Sequence, residues 1–386
     1  MHCDVAIVGG GLAGLSLACA LRDTRLRIAL VESRAPIRPS GWDARVYAIS
    51  PANGDFLRRI GAWKHLDASR MAPIHAMEIH GDAGARLDFS AYETGVDELG
   101  WILESSQMAC ELWENVKRQG NLTLLCPASP RALELRADAA VLTLDDGSVL
   151  SASLLVGADG RDSWVREAAG LPAHNVPYGE RGVVANFTCE HPHRGIARQW
   201  FRDDGVLAWL PLPGNRISIV WSTPDALADD LLALSPEALC ERVAAAGGHA
   251  LGALQPLTPA AAFPLRLMRV PRTVAPRVAL IGDAAHGIHP LSGHGINLGY
   301  QDACALGALL AATPPWQDLG DERLLQRYQR ARREETVLMQ TTTHALRRLF
   351  RDELPGLRAL RNLGMNLTNR LPVVKNLLVR YALGTI

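Results

Sequence analysis

Three short apolar segments, each followed by glycines, dominate the hydrophobic pattern of the chain. The first covers residues 4–8 (DVAIV) and leads into the glycine-rich turn GGGLAG at 9–14. Residues 15–21 then have the small, apolar composition of a buried helix, and residues 27–31 form another apolar run. Such runs are typical of parallel strands buried on both faces. The pattern predicts a strand–helix–strand unit at the start of the chain.

The turn in this unit has the spacing G-x-G-x-x-G, with Gly9, Gly11 and Gly14 as its glycines. Gly9 permits a tight turn, Gly11 lets a pyrophosphate approach the backbone, and Gly14 lets helix and strand pack closely. The helix start, with the N–H groups of Leu12 and Ala13, offers a partial positive charge to phosphates. This turn is therefore predicted to bind a pyrophosphate.

Glu32 ends the second strand of the unit, where a carboxylate accepts the hydroxyls of an adenosine ribose. The same charge repels a 2′-phosphate, so NADP fits this site poorly. A glycine turn without a ligand is the alternative interpretation. Strand, glycines, helix, second strand and acid occur here in the expected order, so a dinucleotide site is strongly favoured. FAD and NAD both remain open at this point.

The other two apolar segments also lead into turns. Two short apolar runs, at 149–150 and 154–156, flank a polar stretch and precede GADGRDSWVR at 157–166, which by itself predicts a capped strand-to-helix turn. Residues 277–281 precede GDAAHGIHPLSGHGINLGYQDA at 282–303, and residues 296–310 have helical spacing. The start of this last turn is predicted at the carboxyl end of its strand, where ligands bind in open α/β sheets.

Together the three turns resemble those of the FAD-dependent aromatic hydroxylases, the single-component monooxygenases of the para-hydroxybenzoate hydroxylase type. Residues 9–14 resemble their ADP-binding turn, residues 159–166 their D-G motif and residues 282–295 their G-D motif. The resemblance implies an α/β (α+β overall) fold. It also implies that FAD, held without a covalent bond, is the cofactor.

Within this family, the sequence resembles the ubiquinone-biosynthesis hydroxylases, the UbiH/UbiF/UbiI group. Residues 282–303, 42–51 (WDARVYAISP), 99–108 (LGWILESSQM) and 361–384 are similar to that group. The similar stretches are spread over nearly the whole chain.

The resemblance implies a set of FAD-binding residues. The G-D aspartate, here Asp283, binds the ribitol chain in that family, and the loop and helix start after it bind the isoalloxazine ring. Arg45 and Gln107 match family positions near the flavin. The predicted cofactor-binding residues are Gly9, Gly11, Leu12, Ala13, Gly14, Glu32, Arg45, Gln107, Asp159, Asp283, Pro290, Gly293, Gly295, Ile296 and Asn297.

The chemistry that the resemblance implies begins with NAD(P)H, which docks transiently because no second G-x-G-x-x-G unit follows a strand. Reduced flavin then adds O2 at C4a, and the hydroperoxide hydroxylates an electron-rich phenolic ring. The helix start at Ile296 is expected to stabilise the anionic reduced flavin, and Asn297 to bond its pyrimidine edge. Pro290 is expected to face the N5–C4a side without offering a proton. No catalytic base can be named.

A metal site is the alternative interpretation of the third turn, because Asp283, His286, His289 and His294 are all possible ligands. These histidines lack a ligand framework of their own, and the flavin interpretation already explains the glycines and the preceding strand. We predict no metal. We expect His286 and His289 to shape the loop through hydrogen bonds.

The middle of the chain predicts a β-rich unit that covers the substrate, with apolar β patterns at 183–188, 206–212 and 216–221. Four aromatic residues of this region are candidates for a substrate pocket: Trp200, Phe201, Trp209 and Trp221. Ordinary core packing is the favoured alternative for any one of them.

We therefore expect a Rossmann-like FAD-binding domain with an inserted β-sheet substrate domain and a helical C-terminal segment. The predicted boundaries are 1–72, 100–173 and 276–320 for the FAD-binding domain, 73–99 and 174–275 for the substrate domain, and 321–386 for the C-terminal segment. Between residues 344 and 386, eight Lys and Arg outnumber two acids, with Leu and Val between them. This basic segment is either a solvated or partner-binding face or a peripheral membrane platform.

Charge and cysteine content limit the classes of partner and the cellular compartment that we expect for this protein. Lys+Arg and Asp+Glu are both 40 in a chain of 386 residues, so no nucleic-acid partner is expected. The seven cysteines are an odd number without a C-x-x-C pair, which is typical of reduced thiols. Without a signal-peptide pattern or a membrane-span run, we expect a cytoplasmic protein, with the periphery of the inner membrane left open.

The expected function is hydroxylation of a polyprenylated phenol in ubiquinone biosynthesis, with O2 as co-substrate and other proteins of that pathway as potential partners. The alternatives are a hydroxylase of another small aromatic substrate, a flavin reductase of the geranylgeranyl-reductase kind, and a non-catalytic assembly subunit with the flavin fold. A flavin halogenase is disfavoured because the W-x-W-x-I-P signature is absent.

Overall fold

A computed structural model of the chain describes residues 1–81, 84–287 and 295–351, together with Asn362 and Asn369. The loop at 288–294 and most of the predicted C-terminal segment lie outside the described residues. The helices are α1 (Leu12–Ala20), α2 (Pro51–Arg59), α3 (Ala91–Thr94), α4 (Ser105–Lys117), α5 (Trp164–Ala168), α6 (Asp225–Ala233), α7 (Pro236–Ala246), α8 (Gly295–Ala312) and α9 (Glu322–Arg351).

Most strands belong to two large sheets. The strands are β1 (His2–Val8), β2 (Ile28–Val31), β3 (Val46–Ile49), β4 (Ala72–Ile74), β5 (Ala76–His80), β6 (Arg86–Ser90), β7 (Gly100–Glu104), β8 (Leu122–Leu125), β9 (Pro130–Leu135), β10 (Ala140–Leu144), β11 (Val149–Gly157), β12 (His174–Cys189), β13 (Ile196–Arg202), β14 (Gly205–Leu212), β15 (Arg216–Pro224), β16 (Leu254–Pro256), β17 (Ala261–Arg269), β18 (Val274–Ala275), β19 (Val278–Leu280) and β20 (His286–Gly287).

The first sheet has the order β18-β19-β11-β1-β2-β8, and the strands from β19 to β8 are parallel. Strands β9 and β10 extend it as an antiparallel hairpin on β11. Val5 and Ile7 of β1 point to a core that includes residues of α1, α4 and α8, while Ala6 and Val8 point to a core on the other face. Burial of both faces explains why these strands are apolar throughout.

The second sheet has the order β20-β17-β12-β15-β14-β13-β5-β6, with β16 paired to β12. Alternate residues of β12, β14 and β15 pack with α6 and α7 in one core. Trp209 and Trp221 lie in that core at 1% and 0% exposure, and Trp200 packs against it. Core packing is therefore confirmed for these three candidates. Phe201, one residue further along β13, is on the opposite face of the sheet.

A small third sheet, β3-β7-β4, completes the strands that the structure describes. It packs with residues of the second sheet in a core that includes Ile74, Ile102 and Leu212.

The expected α/β class with two sheet-based units is confirmed. The predicted strand–helix–strand unit is β1–α1–β2, and the runs at 149–150 and 154–156 form one continuous strand, β11. The exact domain boundaries stay a prediction. Two short strands pair with the sheet of the other predicted domain. β18 lies within the predicted substrate domain but joins the first sheet, and β20 lies within the predicted FAD-binding domain but pairs with β17 of the second sheet.

All seven cysteines are among the described residues, and each is free, as expected from their number and spacing. None of the helices that the structure describes combines the length and apolar character needed to cross a membrane.

Candidate functional site

The three predicted turns meet at one edge of the first sheet, because backbone hydrogen bonds join them just beyond the parallel strands. The Gly9 N–H donates to Val31 O at 2.9 Å and the Ala158 N–H to Val8 O at 2.8 Å. The Ile281 N–H donates to Gly157 O at 3.0 Å. The carboxyl ends of four neighbouring strands thus form one continuous edge, which we call the strand-end edge.

The first turn is close-packed everywhere except where a phosphate would lie. Gly9 has φ +110°, and a Cβ there would overlap the backbone of Ala158. A Cβ on Gly14 would overlap the carbonyl oxygen of Gly9, whereas one on Gly11 would meet nothing within 4 Å. The open space at Gly11, directly before α1, fits a pyrophosphate on the helix N-terminus.

Glu32 lies at the end of β2, beside this turn. Its Oε2 accepts the N–H of Gly10 at 2.5 Å, and its Oε1 accepts the N–H of Arg34 at 2.9 Å and the hydroxyl of Ser33 at 3.0 Å. The carboxylate is therefore held in place next to the glycine turn, as the adenosine-ribose prediction requires.

The starts of α1 and α8 lie side by side at the strand-end edge. A Cβ on Gly282 (φ +61°) would lie 3.0 Å from the Ala13 Cβ, and one on Gly299 would lie 3.5 Å from the same atom. Small residues thus let the first turns of both helices pack against the third turn. Two helix N-termini near one edge create a region that favours negative charge.

Asp283 follows directly, in a single 3₁₀ turn from Gly282 to Ala284, and its side chain is 43% exposed. Its Oδ2 is 3.7 Å from the Arg161 guanidinium in the second turn. Arg45 is exposed, with its guanidinium 5.5 Å from the centre of the Tyr47 ring. Tyr47 and Asp283 both raise the pKa of Arg45, and burial raises the pKa of Tyr47.

Asp159 binds within its own turn. Its Oδ1 accepts the Ser163 hydroxyl at 2.5 Å, and its Oδ2 accepts the Val165 N–H at 2.9 Å. Ser163 caps α5 by accepting the Arg166 N–H. The D-G motif therefore organises the start of α5, and its contact with FAD stays a prediction.

Gln107 is buried at the start of α4, where its amide donates to Glu104 Oε2 at 3.0 Å. Glu104 is also bound by both arms of the Arg70 guanidinium at 2.6 Å and by the Asp43 N–H at 2.6 Å. This network fixes the segment just before Arg45. A flavin contact of Gln107 stays a prediction.

Asn297 anchors the first turn of α8. Its Oδ1 accepts the Ser50 N–H and the Asn53 amide, both at 3.0 Å, and its Nδ2 donates to Ala48 O at 2.8 Å. The side chain thus ties α8 to β3 and α2. This positional role was missed by sequence reasoning, and the proposed bond to the pyrimidine edge stays a prediction.

The third turn itself is only partly described. Gly295 and Ile296 form the described start of α8, whereas His289, Pro290, Gly293 and His294 lie outside the described residues. His286 is buried and hydrogen-bonds Asp302 on α8, while its expected role in shaping the loop stays a prediction. In the part of the chain that is described, no group of three or more His, Cys, Asp or Glu side chains is arranged to hold a metal ion.

The second sheet contributes an apolar surface. On the face opposite α6 and α7, Ala208, Val220, Val184 and Ala261 lie side by side across four strands, and Gln199 of β13 lies next to Ala208. We call the four aliphatic residues the apolar rung. Two of them are alanines and two are valines.

The apolar rung faces the segment that carries Arg45. Asn186, two residues after Val184 on the same face, donates to Asp43 O at 2.9 Å. Leu210, two residues after Ala208, packs in a core with Trp42. The apolar rung and the Arg45 segment therefore lie on the same side of the second sheet.

The chain is similar in sequence and in structure to known FAD-binding proteins. A model of the FAD binding domain family matches residues 2–343. Ubiquinone hydroxylase UbiL of Rhodospirillum rubrum is 36% identical, covering 99% of this chain and 90% of its own. The 3-demethoxyubiquinol 3-hydroxylase of Escherichia coli is 34% identical, covering 99% and 98%. The structure of PqsL from P. aeruginosa in complex with 2-aminobenzoylacetate superposes with a TM-score of 0.79 at 25% identity, covering 95% and 99%.

A parallel sheet with a glycine turn and an acid at its strand-end edge, joined to a second sheet, is the fold of flavin-dependent monooxygenases. The chain belongs to the FAD binding domain family. It is an FAD-dependent monooxygenase, and NAD(P)H is the electron donor typical of the family. The resemblance to ubiquinone-biosynthesis hydroxylases is confirmed by these relatives.

The residues present fit FAD. Along the strand-end edge, Glu32 is held at the end of β2, a Cβ on Gly11 after β1 would meet nothing within 4 Å, and Asp283 after β19 has a half-exposed carboxylate. This is the order in which the predicted contacts would place the adenosine ribose, the pyrophosphate and the ribitol chain of FAD.

Proposed function

We propose that this monooxygenase hydroxylates the ring of a prenylated phenol in ubiquinone biosynthesis. The proposal rests on two curated relatives whose names contain ubiquinone or ubiquinol, aligned along nearly their whole length. The structural observation that carries it is the apolar rung. A surface of small uncharged side chains suits a long hydrocarbon tail better than a small aromatic acid, which would favour an arginine clamp.

The phenyl ring of Phe263 extends this surface. A Cβ on Gly182 would lie 2.8 Å from the Phe263 ring, so the glycine allows the ring to lie across β12. Phe263 is 38% exposed, next in register to the apolar rung. We propose that the substrate contacts this ring and the apolar rung.

The protein contributes binding, orientation and electrostatics. When bound, FAD supplies the chemistry that uses NAD(P)H and O2 to transfer one oxygen atom to the ring. The start of α1 would hold the pyrophosphate, Glu32 the ribose and Asp283 the ribitol chain. The start of α8 would stabilise negative charge on the ring system of the bound flavin. A substrate tail lying on the apolar rung would keep water away from the reacting atoms.

We further propose that the enzyme meets its substrate at a membrane surface or on a partner of the same pathway. Arg323, Arg327 and Arg330 are exposed at helical spacing on one face of α9. Such a row is complementary to anionic lipid headgroups, each contact contributing about 1 kcal/mol near the surface. This proposal concerns delivery of the substrate and not the chemistry.

Complementation tests the proposed function. A host lacking its own ring hydroxylases should regain ubiquinone, or one missing ring oxygen, when this protein is expressed. The triple substitution of Arg323, Arg327 and Arg330 by Gln should lower that yield without changing turnover of a short-chain phenol by the purified enzyme. The first comparison tests the substrate and the second tests delivery.

The result that contradicts the substrate assignment is a host in which no ring position regains oxygen while the purified protein turns over a small soluble phenol. Reduction of an alkene in the prenyl tail, without ring oxygenation, would instead favour a flavin reductase.

A further inference from the structure

A buried charged network lies beneath the third turn, outside the residues predicted to touch FAD. His286 Nε2–H donates to Asp302 Oδ2 at 2.6 Å, and Arg332 Nε donates to Asp302 Oδ1 at 2.9 Å. The side chains of His286, Asp302 and Arg332 are 5%, 1% and 11% exposed. Buried charges are rare unless they are paired, and removal of one partner leaves the other uncompensated.

Asp302 also holds the backbone of the third turn. Its Oδ2 accepts the Gly282 N–H at 3.0 Å in addition to His286. One carboxylate on α8 therefore binds residues at both ends of the segment that contains Asp283.

Helix α9 contacts the same segment at two places. Arg332 reaches it through Asp302, and its Nη2 also donates to Gln301 Oε1 at 3.0 Å. Eight residues further along α9, the buried Gln340 amide donates to Met268 O at 2.8 Å and to Gly287 O at 3.4 Å. The two contacts support the segment from Gly282 to Gly287 on the side of α9.

We propose that Asp302 is a positioning residue for the flavin site and that α9 braces it through Arg332 and Gln340. Asp302 does not touch the predicted FAD contacts with its own side chain. It sets the position of Asp283 on one side and of the α8 start on the other, because both belong to the segments that its carboxylate joins. The inference goes beyond the proposed function and depends only on FAD binding.

The test compares Asp302→Asn with Asp318→Asn. Asp318 pairs with the buried Arg277, which precedes β19 and so lies at the amino end of that strand. Both substitutions remove the carboxylate from a buried arginine, but only Asp302 lies at the strand-end edge. Each protein is stripped of FAD and retitrated, and the absorption and circular dichroism of the bound flavin are recorded.

Asp302→Asn should raise the Kd for FAD by about tenfold or more, the change expected when a charge-assisted hydrogen bond no longer holds the site. The spectrum of the bound flavin should also change. Asp318→Asn should lower the melting temperature while the Kd and the spectrum stay as in the unsubstituted protein.

An unchanged Kd and spectrum in a folded Asp302→Asn protein would overturn the proposal. If that variant does not fold, Gln340→Met decides, since it keeps the volume of the side chain and removes its donor. It should raise the Kd by about fivefold, in the range of one neutral hydrogen bond, and an unchanged Kd would overturn the proposal. FAD affinity is measured without phenol, so the outcome of this test does not depend on whether the protein hydroxylates a prenylated phenol.

Discussion

At the scale of single residues, Gly11 and Gly14 have opposite surroundings although both belong to one turn. A Cβ on Gly11 meets open space, and its φ of −75° suits any residue. A Cβ on Gly14 overlaps the Gly9 carbonyl. Gly11→Ala should therefore leave the melting temperature of the apoprotein unchanged and weaken FAD binding, because the methyl group occupies the pyrophosphate path. Gly14→Ala should lower the melting temperature of the apoprotein.

Thermal melting of both apoproteins, with FAD titration of each folded variant, checks this prediction. A Gly11→Ala protein that binds FAD as tightly as the unsubstituted protein would place the pyrophosphate elsewhere.

Asp283 carries a second prediction at this scale. Its side chain is 43% exposed, so neutralising it changes folding little. Asp283→Asn should weaken FAD binding by about 1.5–3 kcal/mol through loss of a charge-assisted hydrogen bond to the ribitol chain. Asp229→Asn, an exposed carboxylate paired with Arg181, is the matched control and should not change the affinity. Equal FAD affinity in all three proteins would rule out the ribitol contact.

Sequence reasoning selected residues of the site but not their partners. Asp159 and Asn297 stood in recognisable motifs, yet their hydrogen bonds to Ser163 and Ser50 depend on how the chain folds back on itself. Asp302 was missed as a site residue. The available signal was an acid among the apolar residues of the predicted helix at 296–310, since a buried acid requires partners.

At the scale of elements, the His286–Asp302 pair predicts how the packing of the third turn on α8 depends on pH. Burial opposes charge on both groups, but their mutual attraction and hydrogen bond raise the pKa of His286 above 6.5 and lower that of Asp302 below 3.8. Arg332 and Asp283 act on the pair as well, and Arg332 itself pairs with Glu335. The contribution of charged His286 to the free energy of unfolding is complete below pH 6.5 and is lost as the pH rises through the raised pKa of His286. The contribution of ionised Asp302 is complete above pH 3.8 and is lost as the pH falls through the lowered pKa of Asp302.

A double-mutant cycle with His286→Gln and Asp302→Asn measures this coupling from the free energy of unfolding of the apoprotein at a series of pH values. The coupling should be greatest between pH 3.8 and 6.5 and should decline above that range. A coupling that is constant up to strongly alkaline pH would show that the histidine is neutral in the pair.

Elements with continuous apolar runs were predictable, and those without were not. β1, β2 and α8 follow their patterns closely because both faces of the first sheet and half of the residues of α8 are buried. The third sheet was not predicted, because β3 and β4 are short and only partly buried. Their pairing with β7 depends on contacts distant in sequence.

At the scale of the whole molecule, the candidate active site is formed by segments that are far apart in sequence. The strand-end edge comes from β1, β2, β11 and β19, while the apolar rung comes from the second sheet. The sequence could predict both units, since each has its own pattern. It could not indicate which face of the second sheet remains open. The open face is the one opposite Trp209 and Trp221, because these two side chains pack against α6 and α7.

We propose that this protein transfers one oxygen atom from O2 to the ring of a prenylated phenol. The most direct measurement is mass spectrometry of the product after the FAD-loaded protein reacts with NAD(P)H, a prenylated phenol and isotopically labelled O2. We predict a product that carries one labelled oxygen on the ring. Oxidation of NAD(P)H that yields only hydrogen peroxide, with the phenol recovered unlabelled, would contradict the claim.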